Sequence, residues 1–231
     1  MADQPEIPLA GGRVTEGVVR IGDFVHRPVC ANSPFVHSVL RWLERKAVDC
    51  CPRFTGIDGQ GREITTFLPG RSPTDLGYYS DGQCVRAVSI IKTLHEALGD
   101  FPGCAYGQTV CHNDLSPCNF MFQDDMPYAV FDWDGAAIGD PLDDLAYAVW
   151  MWLDIGNEDN EASATAARMR LMLDRYGVGR QERSAFCGRI FRQMERVGNG
   201  PFHTAERAAA VPQWAVECAD WLRGFAKSWR G

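Results

Sequence analysis

Between Cys111 and Ala146 the chain reads CHNDLSPCNFMFQDDMPYAVFDWDGAAIGDPLDDLA. It places His112, Asp114, Asn119, Asp132 and Asp144 in an order that suits transfer of a phosphoryl group. An acceptor hydroxyl needs a group to take its proton, and Asp114 is suited to that. A nucleotide triphosphate needs a divalent cation held by oxygen ligands, and Asn119 with Asp132 can supply them.

The elements around these residues must bring them together. His112 to Pro117 is polar and turn-rich, with Pro117 stopping any helix. Asn119 to Phe122 reads as a short strand, Gln123 to Pro127 as a turn, and Tyr128 to Trp133 as a second strand. A hairpin of these two strands would set Asn119 beside Asp132. An amide oxygen and a carboxylate converging on one point suit Mg²⁺, which takes few protein ligands and keeps waters and phosphate oxygens.

HNDLSPCN resembles the H-x-D-x-x-x-x-N catalytic loop of the aminoglycoside phosphotransferase and choline kinase superfamily, small-molecule kinases with a protein-kinase-like fold. FDWDGAAIGDPLDDLA resembles that family's metal-binding segment and the helix after it. The loop pattern alone would arise by chance in about one chain in a hundred of this length. Its joint occurrence with a strand ending in Asp132 and a helix carrying Asp144 is what gives the resemblance its weight. The resemblance implies an α+β, bilobal architecture: a small antiparallel-sheet N-lobe over residues 1–70 that binds nucleotide, and a mainly helical C-lobe over residues 71–231 with the catalytic loop and acceptor site. It implies Asp114 as the catalytic carboxylate and Asn119 and Asp132 as ligands of Mg²⁺. It implies Asp144 as a buried acceptor of hydrogen bonds from the catalytic-loop backbone, with His112 shaping the loop. It implies Asp134 as a residue beside the metal or behind its ligands. ATP is the implied phosphoryl donor.

Charge and composition bound the partners. The chain has 231 residues, 45% of them hydrophobic, and a formal net charge of −7. No Lys/Arg cluster points to nucleic acid, and no apolar run reaches the length of a membrane span. MADQPEIPLAGG does not resemble a secretory leader. Nine cysteines without a C-x-x-C pair read as free thiols in a reducing cytoplasm. Cys111, His112 and Cys118 match no common zinc spacing.

In the N-terminal region, Val18–Ile21 and Phe24–Val29 flank Gly22-Asp23, a hairpin signal. Gly11 and Gly12 precede the first of these strands, in the region that covers the nucleotide phosphates in the resembled family. Ser33-Pro34 opens a helix with Ser33 as its cap, and Val36, Val39, Leu40 and Leu43 recur at helical spacing. Strands over 52–57 and 62–68 follow, and Pro69-Gly70 breaks the second. Backbone groups near Phe67 and Leu68 would meet the adenine edge. An amphipathic helix spans Asp81 to Leu98, in which His95 reads as a packed or capping residue. An apolar helix spans Leu142 to Leu153, with Trp150 and Trp152 as core. The acidic DIGNEDNE loop reads as a solvated connection, or as a rim that draws cations to the acceptor site. Helices near 162–176, 180–197 and 204–228 complete the chain.

Three features depart from the family pattern. The small lobe offers Arg27, or His26, where kinase folds carry a phosphate-holding Lys. The next helix has His37, not Glu, near its start, and Glu44 comes about two turns later. The C-terminal GFAKSWRG carries cations where aminoglycoside kinases of the best-known type offer acidic groups. The implied activity is ATP- and Mg-dependent phosphorylation of a small-molecule hydroxyl, such as that of an antibiotic. The alternative, on the resemblance to trifolitoxin-immunity-like proteins, is a kinase-shaped immunity protein that binds a peptide toxin or antibiotic without transfer.

Overall fold

The computed structural model describes residues 5–9, 17–202 and 204–229. Its fold is bilobal and protein-kinase-like, with a small antiparallel sheet and a larger helical part. The sheet runs β1 (Ile7–Pro8), β2 (Val19–Ile21), β3 (Phe24–Arg27), β5 (Glu63–Thr66) and β4 (Phe54–Ile57) in spatial order, every neighbour antiparallel. Gly22 takes φ +59 in the β2–β3 turn, a conformation glycine adopts without steric cost. β1 was not expected, because two residues carry no periodic pattern. Gly11 and Gly12 therefore follow the first strand in sequence, and they lie outside the described residues.

α1 (Ser33–Arg45) buries Val36, Val39, Leu40 and Leu43, as its spacing predicts. Its cap position is Asn32, not Ser33, and no side chain caps the helix there. The Ser33 hydroxyl instead accepts from the Cys30 N–H at 2.9 Å.

The chain leaves the sheet at Phe67 and turns at Gly70, whose φ is +124. A Cβ at that position would collide with the Phe122 carbonyl oxygen. The Arg71 N–H donates to that carbonyl at 3.1 Å, and the Tyr128 hydroxyl donates to the Pro69 carbonyl at 2.6 Å. The crossing is thus fastened to the hairpin that carries the candidate metal ligands.

In the helical lobe, α2 (Asp81–Leu98) opens on a capping box between Ser80 and Gln83. β6 (Thr109–Cys111) pairs with β9 (Ala137–Gly139), and β7 (Phe120–Gln123) with β8 (Met126–Val130). α3 (Pro141–Trp152) is capped by the Asp140 carboxylate and runs through the core, where Trp150 and Trp152 are 1% and 0% exposed. Trp150 stacks on Trp214 at 4.9 Å. α4 (Ala162–Tyr176) and α7 (Ala205–Ala226) match their expected positions. The single helix expected over 180–197 is two, α5 (Arg180–Ser184) and α6 (Phe186–Gly198). The Arg183 carbonyl at the break accepts from the Trp229 indole at 2.8 Å, a bond that competes with continuation of the helix. All nine cysteines are free, and burial pushes the Cys50 and Cys84 thiols up to about 11. Among the described residues no helix is long and apolar enough to cross a membrane.

Candidate active site

The candidate catalytic loop is held from below by one carboxylate. Asp144, 2% exposed, accepts from the His112 N–H at 2.7 Å and the Asn113 N–H at 2.8 Å. His95 Nε2 lies 3.1 Å from the same carboxylate, and its Nδ1 lies 2.8 Å from the Tyr176 hydroxyl. Burial opposes ionisation of Asp144, but the hydrogen bond and charge of His95 and the bond from the His112 backbone outweigh it and hold the pKa below its ordinary value. His95 is therefore packed, as its sequence setting suggests, and it also steadies this carboxylate.

His112 is buried, and its Nε2 donates to the Phe131 carbonyl at 2.9 Å. A carbonyl only accepts, so the proton sits on Nε2. Asn113 takes φ +66 and donates from its side chain to the Gly135 carbonyl at 2.9 Å. With β6–β9 pairing, these bonds tie the loop to the segment that follows Asp132.

Asp114 comes next, half-buried, with its Oδ1 accepting from the Tyr147 hydroxyl at 2.7 Å. Burial, then the charge of Asp114, pushes the Tyr147 phenol well above its usual range, so it stays a donor. Sequence reasoning missed Tyr147. It sits one helical turn after Asp144, at the i+3 position of the same face, which is the signal that could have found it.

Asn119 ends a 3₁₀ turn, Pro117–Asn119, and does not open a strand. Its Nδ2 donates to the Asp114 carbonyl at 2.9 Å, which leaves its oxygen for another partner. The β7–β8 ladder pairs Phe120 with Val130, and the Phe131 N–H donates to the Asn119 carbonyl at 3.0 Å. The hairpin thus brings Asn119 alongside the residues leading to Asp132. The second strand stops at Val130, two residues short of Asp132, which adopts the left-handed region at φ 62 and ψ 65. Asp tolerates this conformation better than most side chains, and strain of this kind collects at functional sites. The Asp132 side chain is 44% exposed. Partial desolvation raises its pKa and the Asp134 charge adds to this, while Arg27 works against both.

Arg27 spans the cleft between the lobes. Its Nη1 lies 3.4 Å from Asp132 Oδ1, its Nη2 bonds Asp134, and its Nε lies 3.0 Å from Glu63 Oε1. The Nε contact is an ion pair with geometry too oblique for a hydrogen bond. His37 Nε2 lies 2.7 Å from the other Glu63 oxygen. Asn32, from the turn before α1, donates to the carbonyls of Asp134 at 2.9 Å and Ala136 at 3.0 Å. The small lobe is therefore bonded to the Asp132 segment through both Arg27 and Asn32. Glu44 takes no part; it pairs with Arg53 at the surface. His26 pairs with Asp58 at 2.9 Å and also stands apart.

At the crossing between lobes, the Phe67 N–H donates to the Asp23 carbonyl at 2.8 Å, and the Arg20 guanidinium covers the Phe67 ring at 3.8 Å. Leu68 follows at the same crossing and is half-buried.

No group of three or more His, Cys, Asp and Glu side chains among the described residues could hold a metal ion. The amide oxygen of Asn119 and the accessible carboxylate of Asp132 could serve as a different, oxygen-only donor set. It suits a hard cation that keeps several waters.

The stretch carrying this geometry matches a known family. Residues 105–180 fit the model of the phosphotransferase enzyme family. Over almost its whole length the chain also resembles the trifolitoxin immunity protein of Rhizobium leguminosarum bv. trifolii, with 27% identity across 94% of both chains. Among solved structures, a microcompartment-associated aminopropanol kinase shares the fold at a TM-score of 0.68, with 13% identity, covering 98% of this chain and 93% of that one. The gentamicin complex of APH(2")-IIa superposes at a TM-score of 0.61, with 14% identity and 95% and 91% coverage. The resemblance to aminoglycoside phosphotransferases, choline-kinase-like kinases and a trifolitoxin immunity protein thus holds.

Proposed function

We propose that the protein transfers the γ-phosphoryl group of ATP to a hydroxyl of a small molecule or peptide antibiotic. The observation that carries this reading is the joint placement of Asp114, Asn119 and Asp132 on a loop and hairpin fixed by buried bonds. In this reading residues 1–70 bind nucleotide, and residues 71–231 supply the catalytic loop and acceptor site. Mg²⁺ bound by Asn119 and Asp132 would offset charge on the phosphates.

The chain's own groups have separable tasks. Tyr147 fixes one oxygen of Asp114 and so orients the carboxylate toward the acceptor hydroxyl. Asp114 aligns that hydroxyl and takes its proton as the bond to phosphorus forms. Positioning dominates such transfers, so a strongly basic group is not required. Arg27 brings positive charge to the phosphate side of the cleft, where its fork can bind two oxygens at once. The Leu68 backbone meets the base.

The test is transfer of label from γ-labelled ATP, with Mg²⁺, to a panel of choline, aminopropanol, aminoglycosides and trifolitoxin. Wild type should label at least one acceptor and Asp114→Asn none. Equal labelling by Asp114→Asn would remove Asp114 from the chemistry.

The similarity to an immunity protein supports a second reading, in which the fold sequesters a toxin without transfer. Protection of toxin-challenged cells by Asp114→Asn at wild-type strength would favour it. Loss of protection would favour transfer.

A further inference from the structure

Kinase folds hold the phosphate-gripping cation with a carboxylate from the helix. Here the helix supplies His37, and the carboxylate comes from a strand. Arg27 and Glu63 are direct cross-strand partners in the β3–β5 ladder. Glu63 is 4% exposed, a degree of burial that a carboxylate tolerates only when paired. Its two oxygens are divided between Arg27 Nε and His37 Nε2. The His37 ring is itself clamped, stacked on Phe54 at 3.7 Å and 16°.

The geometry also accounts for arginine at this position. Glu63 holds the guanidinium by Nε, and both terminal nitrogens then face Asp132 and Asp134. A lysine would bring all its contacts to one nitrogen, whereas the guanidinium fork spreads them over three.

We propose that Glu63 and His37 are a positioning pair, in which the strand carboxylate and the helix imidazole together aim the Arg27 fork at the nucleotide phosphates and at the carboxylates of the metal segment. This rests on the reading of the cleft as a nucleotide site. Two consequences follow. Arg27 and a divalent cation share the Asp132 carboxylate, so removing Arg27 favours the cation. Removing Glu63 or His37 loosens the grip on phosphate and leaves Asn119 and Asp132 intact.

The experiment measures two affinities on the full chain without following turnover: ATP by calorimetry in the presence of a chelator, and Mn²⁺ by electron paramagnetic resonance in the absence of nucleotide. The variants are Arg27→Met, Glu63→Gln and His37→Leu, with the surface Glu44→Gln as control. Arg27→Met should weaken metal-free ATP binding by about tenfold or more and tighten Mn²⁺ binding. Glu63→Gln and His37→Leu should weaken ATP binding severalfold, while Glu44→Gln leaves it unchanged. If Glu63→Gln fails to fold, His37→Leu carries the test, because its imidazole lies at the end of the chain of contacts. Wild-type ATP affinity in folded Glu63→Gln and His37→Leu overturns the positioning pair and spares the nucleotide reading. Absence of ATP binding by wild type, with or without metal, overturns both.

Discussion

In the helical lobe, the polar side chains of the site come from one stretch, Cys111 to Tyr147. His95 stands behind it, holding Asp144, and Tyr176 in turn holds His95. In the small lobe they come from three separate elements: Arg27 on β3, His37 on α1 and Glu63 on β5. The first group is positioned largely through the loop backbone, whose His112 and Asn113 N–H groups donate to the Asp144 carboxylate. The second is positioned by side chains touching across a sheet and a helix. A short loop sets its side chains relative to one another through its own backbone, so their spacing in the sequence carries the geometry. A cation-holding carboxylate can come from any element that reaches the cation. The small lobe can therefore change its parts while keeping a charge arrangement of the same kind.

Substitutions should expose this difference, beginning with the catalytic loop. Asp114→Asn should reduce transfer by about 10²–10⁴-fold, the usual contribution of a positioned proton acceptor. ATP affinity should stay near wild type, because Asp114 faces the acceptor in this account.

Asp144→Ala strands the His112 and Asn113 N–H groups and removes the partner of His95. It should cost about 3–5 kcal/mol in chemical denaturation, as expected when one member of a buried charged network is lost. The same carboxylate sets a pH dependence. Its folded pKa lies below the ordinary 3.8, so its stabilising contribution is complete above that value and is lost as pH falls through the lowered pKa. Acid titration of stability should show this loss in the wild type, and Asp144→Asn should lack it.

Asn32→Ala breaks two bonds between the turn before α1 and the Asp132 segment. A cost of about 1–3 kcal/mol is expected, with ATP affinity falling because the lobes lose one tie. The smallest effect belongs to Glu44→Gln. Its bond to Arg53 joins side chains that are 44% and 46% exposed, so stability should change by less than about 1 kcal/mol. A large loss of ATP affinity in that variant would restore the helix carboxylate to a role that the structure gives to Glu63.

The sequence made the two regions legible to different degrees. The spacing from His112 to Asp144 and the apolar run before Asp132 are local signals, and the paired strands they predict are present, although the second stops at Val130 and Pro117 opens a 3₁₀ turn. The left-handed backbone at Asp132 was hidden because Asp is acceptable in both strand and turn. Glu63 was overlooked because it reads as an ordinary strand residue. Its meaning appears only once β3 pairs with β5 and sets it opposite Arg27. Asn32 and Ser33 both suit a helix cap, and only tertiary contacts separate them. The Arg183 carbonyl beside the split between α5 and α6 is bonded by Trp229, far along the chain, which no local pattern reveals.

Calorimetry of ATP binding, with and without Mg²⁺, on wild type and Asp132→Ala tests the central claim most directly. The account predicts that Mg²⁺ tightens ATP binding to the wild type and that Asp132→Ala abolishes this gain. Equal Mg²⁺ dependence in the two proteins, or no ATP binding by the wild type at millimolar concentration, would contradict it.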